Sequence, residues 1–270
     1  MQNILNQWQI NEIFNLALKA GEIAKDAFLN NNFKIYTKDD KSKVSSTDLE
    51  ISQLIIQNLS KICPNIPIVC EEGSNREFND NSFFLIDPID GTSSFINNVD
   101  EFCINIALIH NNKPVFGLIY APIYQGGIAV FNNHLNEVIF YSHQTQKFKK
   151  INRHKSSNNH LTIVTSIRTK NEDVNNFVKQ YYPNFLDNYS LLKLSSAIKF
   201  IKIIDNSAQI YLHFRKSMEW DIASGHAIIN LINLHLINLN YENNYFSLGD
   251  ELQYKKNNFI NNRFIINALN

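Results

Sequence analysis

The chain has 270 residues, a formal net charge of zero at pH 7, 44% hydrophobic residues and 19% charged ones. That is enough for one large domain or two small ones around a sizeable core, in a soluble globular protein. The balanced charge argues against a nucleic acid polymer or an anionic membrane as partner, and leaves room for a small, highly charged ligand in one local site.

Residues 1–28 lack the basic start, apolar core and small-residue cleavage site of a secretory signal. Ile10, Ile13, Phe14, Ala17, Gly21, Ala24 and Phe28 recur at three- and four-residue steps, which predicts an amphipathic helix over 7–29. The polar run 37–46 reads as an exposed loop. A second helix follows over 48–62, with Ile51, Ile55, Leu59 and Ile62 on one face and Thr47 or Asp48 as its cap. Strands are predicted at 66–70, 83–87, 102–109, 114–122 and 126–131, with a tight turn at 110–113. Then come strand 161–166, a helix near 171–182, strand 189–194, a helix over 195–205, strand 208–214 and a helix over 221–233.

The apolar run from Ile228 to Leu239 is broken by Asn and His and is too short to span a bilayer, so no stable membrane anchor is expected. Cys63, Cys70 and Cys103 are odd in number and widely spaced, unlike a disulfide framework or a zinc site. A cytoplasmic location is the simplest reading, with at most a peripheral contact at the inner membrane face. The frequent Asn residues are spread through segments of clear apolar periodicity and read as compositional bias, not as a disordered tract. Two β-rich stretches alternating with helices predict an α/β (α+β) sandwich in two halves, residues 1–150 and 151–270, divided in the polar stretch 145–160.

The stretch FFLIDPIDGTSSF, residues 83–95, sets Asp87 and Asp90 behind an apolar run. A calcium loop is excluded by Pro88, by the spacing to Asp90 and by Asn98 at the twelfth position. An aspartyl-phosphate design is excluded because Pro88 stands where its nucleophile should be. What fits is a pair of carboxylates and the Ile89 carbonyl facing one small volume. Carboxylates so close repel each other unless a cation sits between them, and hard oxygen donors suit Mg2+. Gly91 and Thr92 then open a segment with free backbone N–H groups, a seat for a phosphate. Taken alone, the stretch is equally a structural Asp-Gly turn. Glu71 and Glu72 follow strand 66–70, Asp221 opens an apolar helix and Asp48 follows the polar loop. In isolation these read as a solvated pair and two helix caps.

Together, DPIDGTSSF, the upstream EEGS and the downstream WDIASGHAI resemble the magnesium-dependent, lithium-sensitive phosphatases of the inositol monophosphatase superfamily, over roughly residues 40 to 230. Within it, EFCINIALI (101–109) and SSAIKF (195–200) look most like the bacterial 3'(2'),5'-bisphosphate nucleotidases. The resemblance implies a layered αβαβα sandwich with the site between its halves. It implies a phosphomonoesterase that removes the 3'-phosphate of adenosine 3',5'-bisphosphate by metal-activated water, leaving AMP. An inositol or sugar phosphatase is the alternative, and a non-catalytic metal- or nucleotide-binding protein the third. Carried over residue by residue, Glu71, Asp87 and the Ile89 carbonyl surround a first Mg2+, and Asp87, Asp90 and Asp221 a second, with a third ion admissible. Asp48 and Thr92 orient and deprotonate water, with Glu71 counted among the catalytic groups. Gly91 and Thr92 hold the scissile phosphate, and Ser93, Ser195, Ser196 and Asp221 face a small phosphorylated substrate. A homodimer is left open.

The chain departs from that pattern in places. Lys43-Val44-Ser45 stands where the family has Pro-Val-Thr, and Ser93-Ser94 where nucleotidases commonly have Lys-Glu. His213 stands where an Arg is frequent, with Arg215 nearby, and Leu194 replaces a usual Gly. The metal set is intact, so these changes bear on substrate recognition. His226 and Trp220 are expected as packing, Cys70 as a buried small residue and the basic run 147–155 as a solvated loop. No G-x-x-x-x-G-K-[ST], G-x-S-x-G or H-E-x-x-H occurs, which removes three competing enzyme classes.

Overall fold

The computed structural model describes residues 4–73, 79–152, 160–243 and 245–269. The chain opens with α1 (Gln7–Asn30), the hairpin β1 (Ile35–Thr37) and β2 (Lys43–Ser45), and α2 (Ser46–Ile62). Next come β3 (Ile68–Cys70), β4 (Ser82–Asp90), the short α3 (Thr92–Ile96), β5 (Cys103–His110), β6 (Lys113–Ala121), β7 (Ile128–Asn132), β8 (Val138–Ser142) and β9 (Lys147–Lys150). The rest comprises β10 (Leu161–Ser166), α4 (Asn171–Tyr181), β11 (Tyr189–Leu194), α5 (Ile198–Ile204), β12 (Ile210–His213), β13 (Ser217–Met218), α6 (Glu219–Asn230), β14 (Leu236–Glu242), β15 (Tyr245–Glu251), β16 (Ile260–Asn261) and β17 (Phe264–Asn267).

Strands β3 to β9 form a seven-stranded sheet in chain order, antiparallel except for the β3–β4 pair. A six-stranded sheet has the order β11-β10-β12-β17-β14-β15, with β10 parallel to both its neighbours. The pleat explains why FFLI reads as a solid apolar run. Phe84 and Ile86 face α1 and α2, while Phe83 and Leu85 face the other way, against α5 and α6. Beyond α5 and α6 lies the six-stranded sheet, through Val164, Tyr211 and Phe264, and its far face packs α4 through Val174, Phe177 and Val178. The order is therefore helix, sheet, helix, sheet, helix, the layered αβαβα sandwich. The middle helices are apolar nearly all round because they are covered on both sides: all seven residues of α5 are buried. Gly225 lets α6 meet α5 closely, since a Cβ there would lie 2.2 Å from the Phe200 ring.

Several local expectations are corrected. The run 37–46 is not wholly loop: it carries both ends of the β1–β2 hairpin. Helix α2 starts at Ser46 and is capped by Ser45, not by Thr47 or Asp48. Strand β4 does not stop at Asp87 but runs to Asp90. The polar stretch 145–160 contains β9, an edge strand whose exposure on both faces explains its lysines, so the first part of the run 147–155 is strand and not loop. Residues 153–159 lie outside the described residues. The helix expected over 195–205 is confined to Ile198–Ile204, and α6 begins two residues before Asp221. The turn at 110–113 is a two-residue connection with Asn111 and Asn112 both at positive φ, the twist-matched hairpin geometry.

Candidate active site

The site grows from an irregularity in β4. Asp87 pairs with Asn105 of β5, and Asp90 pairs with Cys103. Three steps along one strand thus face two along the other, so β4 carries one extra residue, a bulge. In a regular strand residues three apart point to opposite faces. The bulge cancels that alternation and lets both carboxylates share a side. Pro88 suits the irregular position because it has no N–H to leave unpaired.

Asp90, Asp221 and Asp48 are each held through one carboxylate oxygen. Asp90 Oδ2 accepts the Ala197 N–H at 2.6 Å and the Asn105 amide at 3.1 Å. Asp221 Oδ2 accepts the Met218 N–H at 2.8 Å. Asp48 Oδ2 accepts the Ser45 N–H at 2.9 Å and also the Ser45 hydroxyl. Asp48 and Asp221 are both the third residue of their helix and reach back to the backbone of the residue before it. Neither is an N-cap: each serves the helix start with one oxygen and leaves the other for the site. Asp87 is 2% exposed, and its Oδ1 is buried without a hydrogen-bond partner.

Burial raises the carboxyls of Glu71, Asp87, Asp90 and Asp221 above the ordinary carboxylate range. Mutual repulsion adds to this, Asp87 feeling Glu71, Asp90 and Asp221. Lys199, in the buried helix α5, opposes the shift at Asp90, and its own pKa is lowered by burial. Among the described residues no three acidic, His or Cys side chains already stand as a cation cage. The Glu71 carboxylate meets Lys38 Nζ at 3.2 Å, and Glu72 meets it at 2.6 Å. The donor set nonetheless fits a hard divalent cation: oxygen only, mutually repelling, with the buried Asp87 Oδ1 still to be satisfied.

Thr92 Oγ1 lies 3.1 Å from Asp48 Oδ1 and 3.0 Å from the Ile89 carbonyl, joining the first helix pair to the bulged strand. Burial raises the Asp48 carboxyl, against the hydrogen bonds from Ser45 and Thr92. Gly91, before α3, has φ +94°, and a Cβ there would stand 2.8 Å from the Glu101 carbonyl oxygen and 3.2 Å from Ser196 Cβ. Only glycine meets both conditions. The connection from β11 to α5 thus lies directly against the Gly91 turn. Within it Ser196 has φ +56° and the Ser195 N–H donates to Glu101 Oε2 at 2.7 Å. Ser93 is exposed on α3.

A cavity of about 1080 Å3 adjoins this cluster, lined among others by Lys38, Glu71, Met218, Trp220, Lys255 and Lys256. Several polar groups escaped the sequence reading: Ser45, Glu101, Asn105, Lys199 and Lys38. Asn105 and Lys199 carried a signal, each a buried polar residue inside a mostly apolar element. The others sit in polar stretches that hide them. The packing expectations agree with the structure. His226 is buried with Nδ1 3.0 Å from the Tyr254 hydroxyl, Cys70 is buried 3.2 Å from Ser52 Oγ, and Trp220 packs on Phe259. His213 is driven by burial and the Lys199 charge down to about 3, and Arg215 is exposed.

The inositol monophosphatase family model matches residues 7–245. A 3'(2'),5'-bisphosphate nucleotidase CysQ of Buchnera aphidicola is 34% identical over 233 residues, covering 84% of this chain and 83% of that protein. The crystal structure of CysQ from Bacteroides thetaiotaomicron superposes with a TM-score of 0.76 at 23% identity, over 99% of this chain and all of that one. An IMPase/NADP phosphatase complexed with NADP and Ca2+ has a TM-score of 0.73 at 17% identity, over 98% of this chain and 92% of that one.

Proposed function

The chain belongs to the inositol monophosphatase family, and from that premise we propose that it is a metal-dependent phosphomonoesterase that releases the 3'-phosphate of adenosine 3',5'-bisphosphate, leaving AMP. The observation that carries this reading is the convergence of Glu71, Asp87, Asp90 and Asp221 beside the hydrogen-bonded pair of Thr92 and Asp48. The name of the Buchnera relative, a bisphosphate nucleotidase matched over most of both chains, supports the substrate. The Ca2+ held by a phosphatase of the same fold supports a divalent cation.

Glu71, Asp87, the Ile89 carbonyl, Asp90 and Asp221 would hold two or three Mg2+ ions. Mg2+ supplies positive charge against the phosphate and Lewis acidity towards water. The chain's own groups do the rest. The Thr92 hydroxyl donates a hydrogen bond to Asp48, keeping its own proton and leaving its lone pairs to accept from a water. The oxygen of that water forms the new bond to phosphorus. Its proton passes by way of Thr92 to Asp48, whose raised pKa makes it a stronger base than an ordinary aspartate. The bond from phosphorus to the 3'-oxygen breaks, and that oxygen takes a proton from solvent. The Gly91 and Thr92 N–H groups donate to the phosphate oxygens as charge shifts, and Ser93, Ser195 and Ser196 border the substrate.

Among the described residues no helix is long and apolar enough to cross a membrane. The same reading carries a cytoplasmic setting and inhibition by lithium, treats residues 1–150 and 151–270 as two units that meet at the site, and admits a homodimer. Phosphate release with Mg2+ is the test, on adenosine 3',5'-bisphosphate, inositol monophosphate and fructose 1,6-bisphosphate. The fastest release is expected from the nucleotide. A preference for inositol monophosphate would replace the substrate, and no release from any of them would overturn the enzyme reading.

A further inference from the structure

Helix α6 carries a second polar feature beyond its first turn. His226 lies five residues after Asp221, which is about 7.5 Å further along the axis and about 140° round it, on a different face. It is 1% exposed. Its Nδ1 stands 3.0 Å from the hydroxyl of Tyr254, which is itself buried and anchored by its N–H to the Asn112 carbonyl at 3.1 Å. Nε2, by contrast, is buried with no hydrogen-bond partner among the described residues. A buried ring nitrogen left in that state is costly. It faces Glu251 Oε1, 3.6 Å away, too far for a hydrogen bond. The same carboxylate oxygen meets His235 Nδ1 at 3.3 Å. Glu251 ends β15 and His235 directly precedes β14. The Leu252 N–H donates to the Leu236 carbonyl at 2.9 Å, which holds the two side by side.

Two imidazoles and one carboxylate are the donors that a borderline divalent cation selects, whereas the oxygen-only cluster suits Mg2+. Zn2+ bound to nitrogen and oxygen at about 2.0–2.2 Å sets tetrahedral donors about 3.3–3.5 Å apart. The two separations from Glu251 Oε1, 3.3 and 3.6 Å, lie close to such edges. The three side chains do not yet stand as a closed cage. His235, with its side chain 63% exposed, has room to turn and close the edge between the imidazoles. Glu251 is held at about 2 and burial lowers His226, so at neutral pH the one is anionic and the other neutral, the forms that ligate a metal. Lys256, whose charge also acts on His226, is paired with Glu219 at 2.9 Å. We propose that His226, His235 and Glu251 bind one divalent cation of the Zn2+ class, apart from the acid cluster, and that this ion fastens α6 to the edge of the six-stranded sheet. With the proton on Nδ1 donated to the Tyr254 oxygen, Nε2 keeps its lone pair for the metal, and the exposed side of His235 leaves a fourth position to water.

The test is Zn2+ binding to chelator-treated protein in excess Mg2+, which loads the oxygen-only cluster. Equilibrium dialysis should find one Zn2+ held per chain, and Zn2+ should raise Tm. His235→Ala removes an exposed ligand without disturbing the core, and Glu251→Gln removes the charge. Each should weaken Zn2+ binding at least about 100-fold, since even outer-shell partners are worth about 10- to 100-fold. Neither variant should gain Tm at a Zn2+ concentration that saturates wild type. Asp87→Asn should bind Zn2+ as wild type does. Co2+ in place of Zn2+ should give the strong visible absorption of a four-coordinate ion, lost in His235→Ala. Unchanged Zn2+ affinity in His235→Ala and Glu251→Gln overturns the proposal. So does Zn2+ lost from Asp87→Asn but kept by His235→Ala, which would put the ion in the acid cluster. Failure of wild type to retain Zn2+ overturns it outright. Absence of phosphate release with Zn2+ binding intact overturns instead the phosphatase reading.

Discussion

Replacing Gly91 by alanine tests how tightly the turn between β4 and α3 is built. At φ +94° an L-residue costs about 1–2 kcal/mol. The added Cβ would also stand 2.8 Å from the Glu101 carbonyl oxygen, a backbone atom with little freedom to retreat, and 3.2 Å from Ser196 Cβ. Overpacking of this kind costs about 1–3 kcal/mol, so the total is about 3 kcal/mol. For a chain of this size that is a fall in Tm of about 6–10 °C, read by a thermal melt. The neighbouring residue is Thr92, whose hydroxyl must keep its 3.1 Å contact with Asp48. A displacement of ~1 Å should lower phosphate release about 100-fold. Gly91→Asn separates the two causes, because asparagine eases the left-handed backbone but carries the same Cβ. It should recover only about 1 kcal/mol. A Gly91→Ala protein with wild-type Tm and activity would refute the reasoning, and full recovery in Gly91→Asn would refute the steric half of it.

Asp90→Asn keeps an acceptor for the Ala197 N–H but removes a charge; phosphate release should fall at least about 100-fold while the metal-free Tm holds or rises, and retained activity would remove Asp90 from the ligand set. Mg2+ at about 100 times its Kd should stabilise wild type by about 2.7 kcal/mol, seen as a higher Tm, and Asp87→Asn should lose most of that gain; a wild-type Tm indifferent to Mg2+ would count against the site. Asp221→Asn should keep the hydrogen bond from Met218 and hence the Tm, whereas Asp221→Ala should lose about 1 kcal/mol of helix-start stabilisation, with both inactive. Glu251 is held at about 2, first by the His226 imidazole, whose Nε2 stands 3.6 Å from Glu251 Oε1, and then by His235, 3.3 Å away, while burial lowers His226 itself. Both folded values lie below the unfolded ones, so their contribution is full above about pH 6.5 and is lost on acidification, for Glu251 between about pH 4.5 and 2. Glu251→Gln should flatten the fall of Tm over that lower window, and an unchanged profile would show that the pair is not coupled to folding.

The alternation of strands and helices was legible in the apolar patterning of most long elements, whereas the layer order and the ligand roles came from the resemblance carried by DPIDGTSSF, EEGS and WDIASGHAI, since each acid alone reads as a turn, a solvated pair or a helix cap. What escaped was local. The bulge in β4 leaves no mark beyond Pro88, so Asp87 was taken as the strand's last residue although pairing resumes at Asp90. Strands β14, β15 and β17 were not foreseen: Asn and His interrupt β14, and pairing between distant segments, not local propensity, makes them strands. The abundance of Asn, which looked like compositional bias, has a structural use. Among the described residues nine of the fifteen non-glycine residues at positive φ are Asn. In a chain with eight glycines, asparagine takes the turns that glycine commonly fills.

The cap readings of Asp48 and Asp221 and their proposed site roles turn out to be one design. A carboxylate at the third position of a helix can satisfy the backbone N–H before the helix with one oxygen and still present the other to its surroundings. Asp90 does the equivalent from a strand, its Oδ2 fixed by Ala197 and Asn105. In each case a backbone N–H sets the orientation of the carboxylate, so the site needs no rotamer search when a charged ligand arrives. The same N–H donors also offset part of the burial of these acids, in the direction opposite to their mutual repulsion. Asp87 is the exception, with Oδ1 buried and unpartnered and its carboxyl raised well above the ordinary range, first by burial and then by the charges of Glu71, Asp90, Asp221 and Asp48. Burial and like charges act there on an oxygen with no hydrogen-bond partner, which is where a shared cation would stabilise the fold.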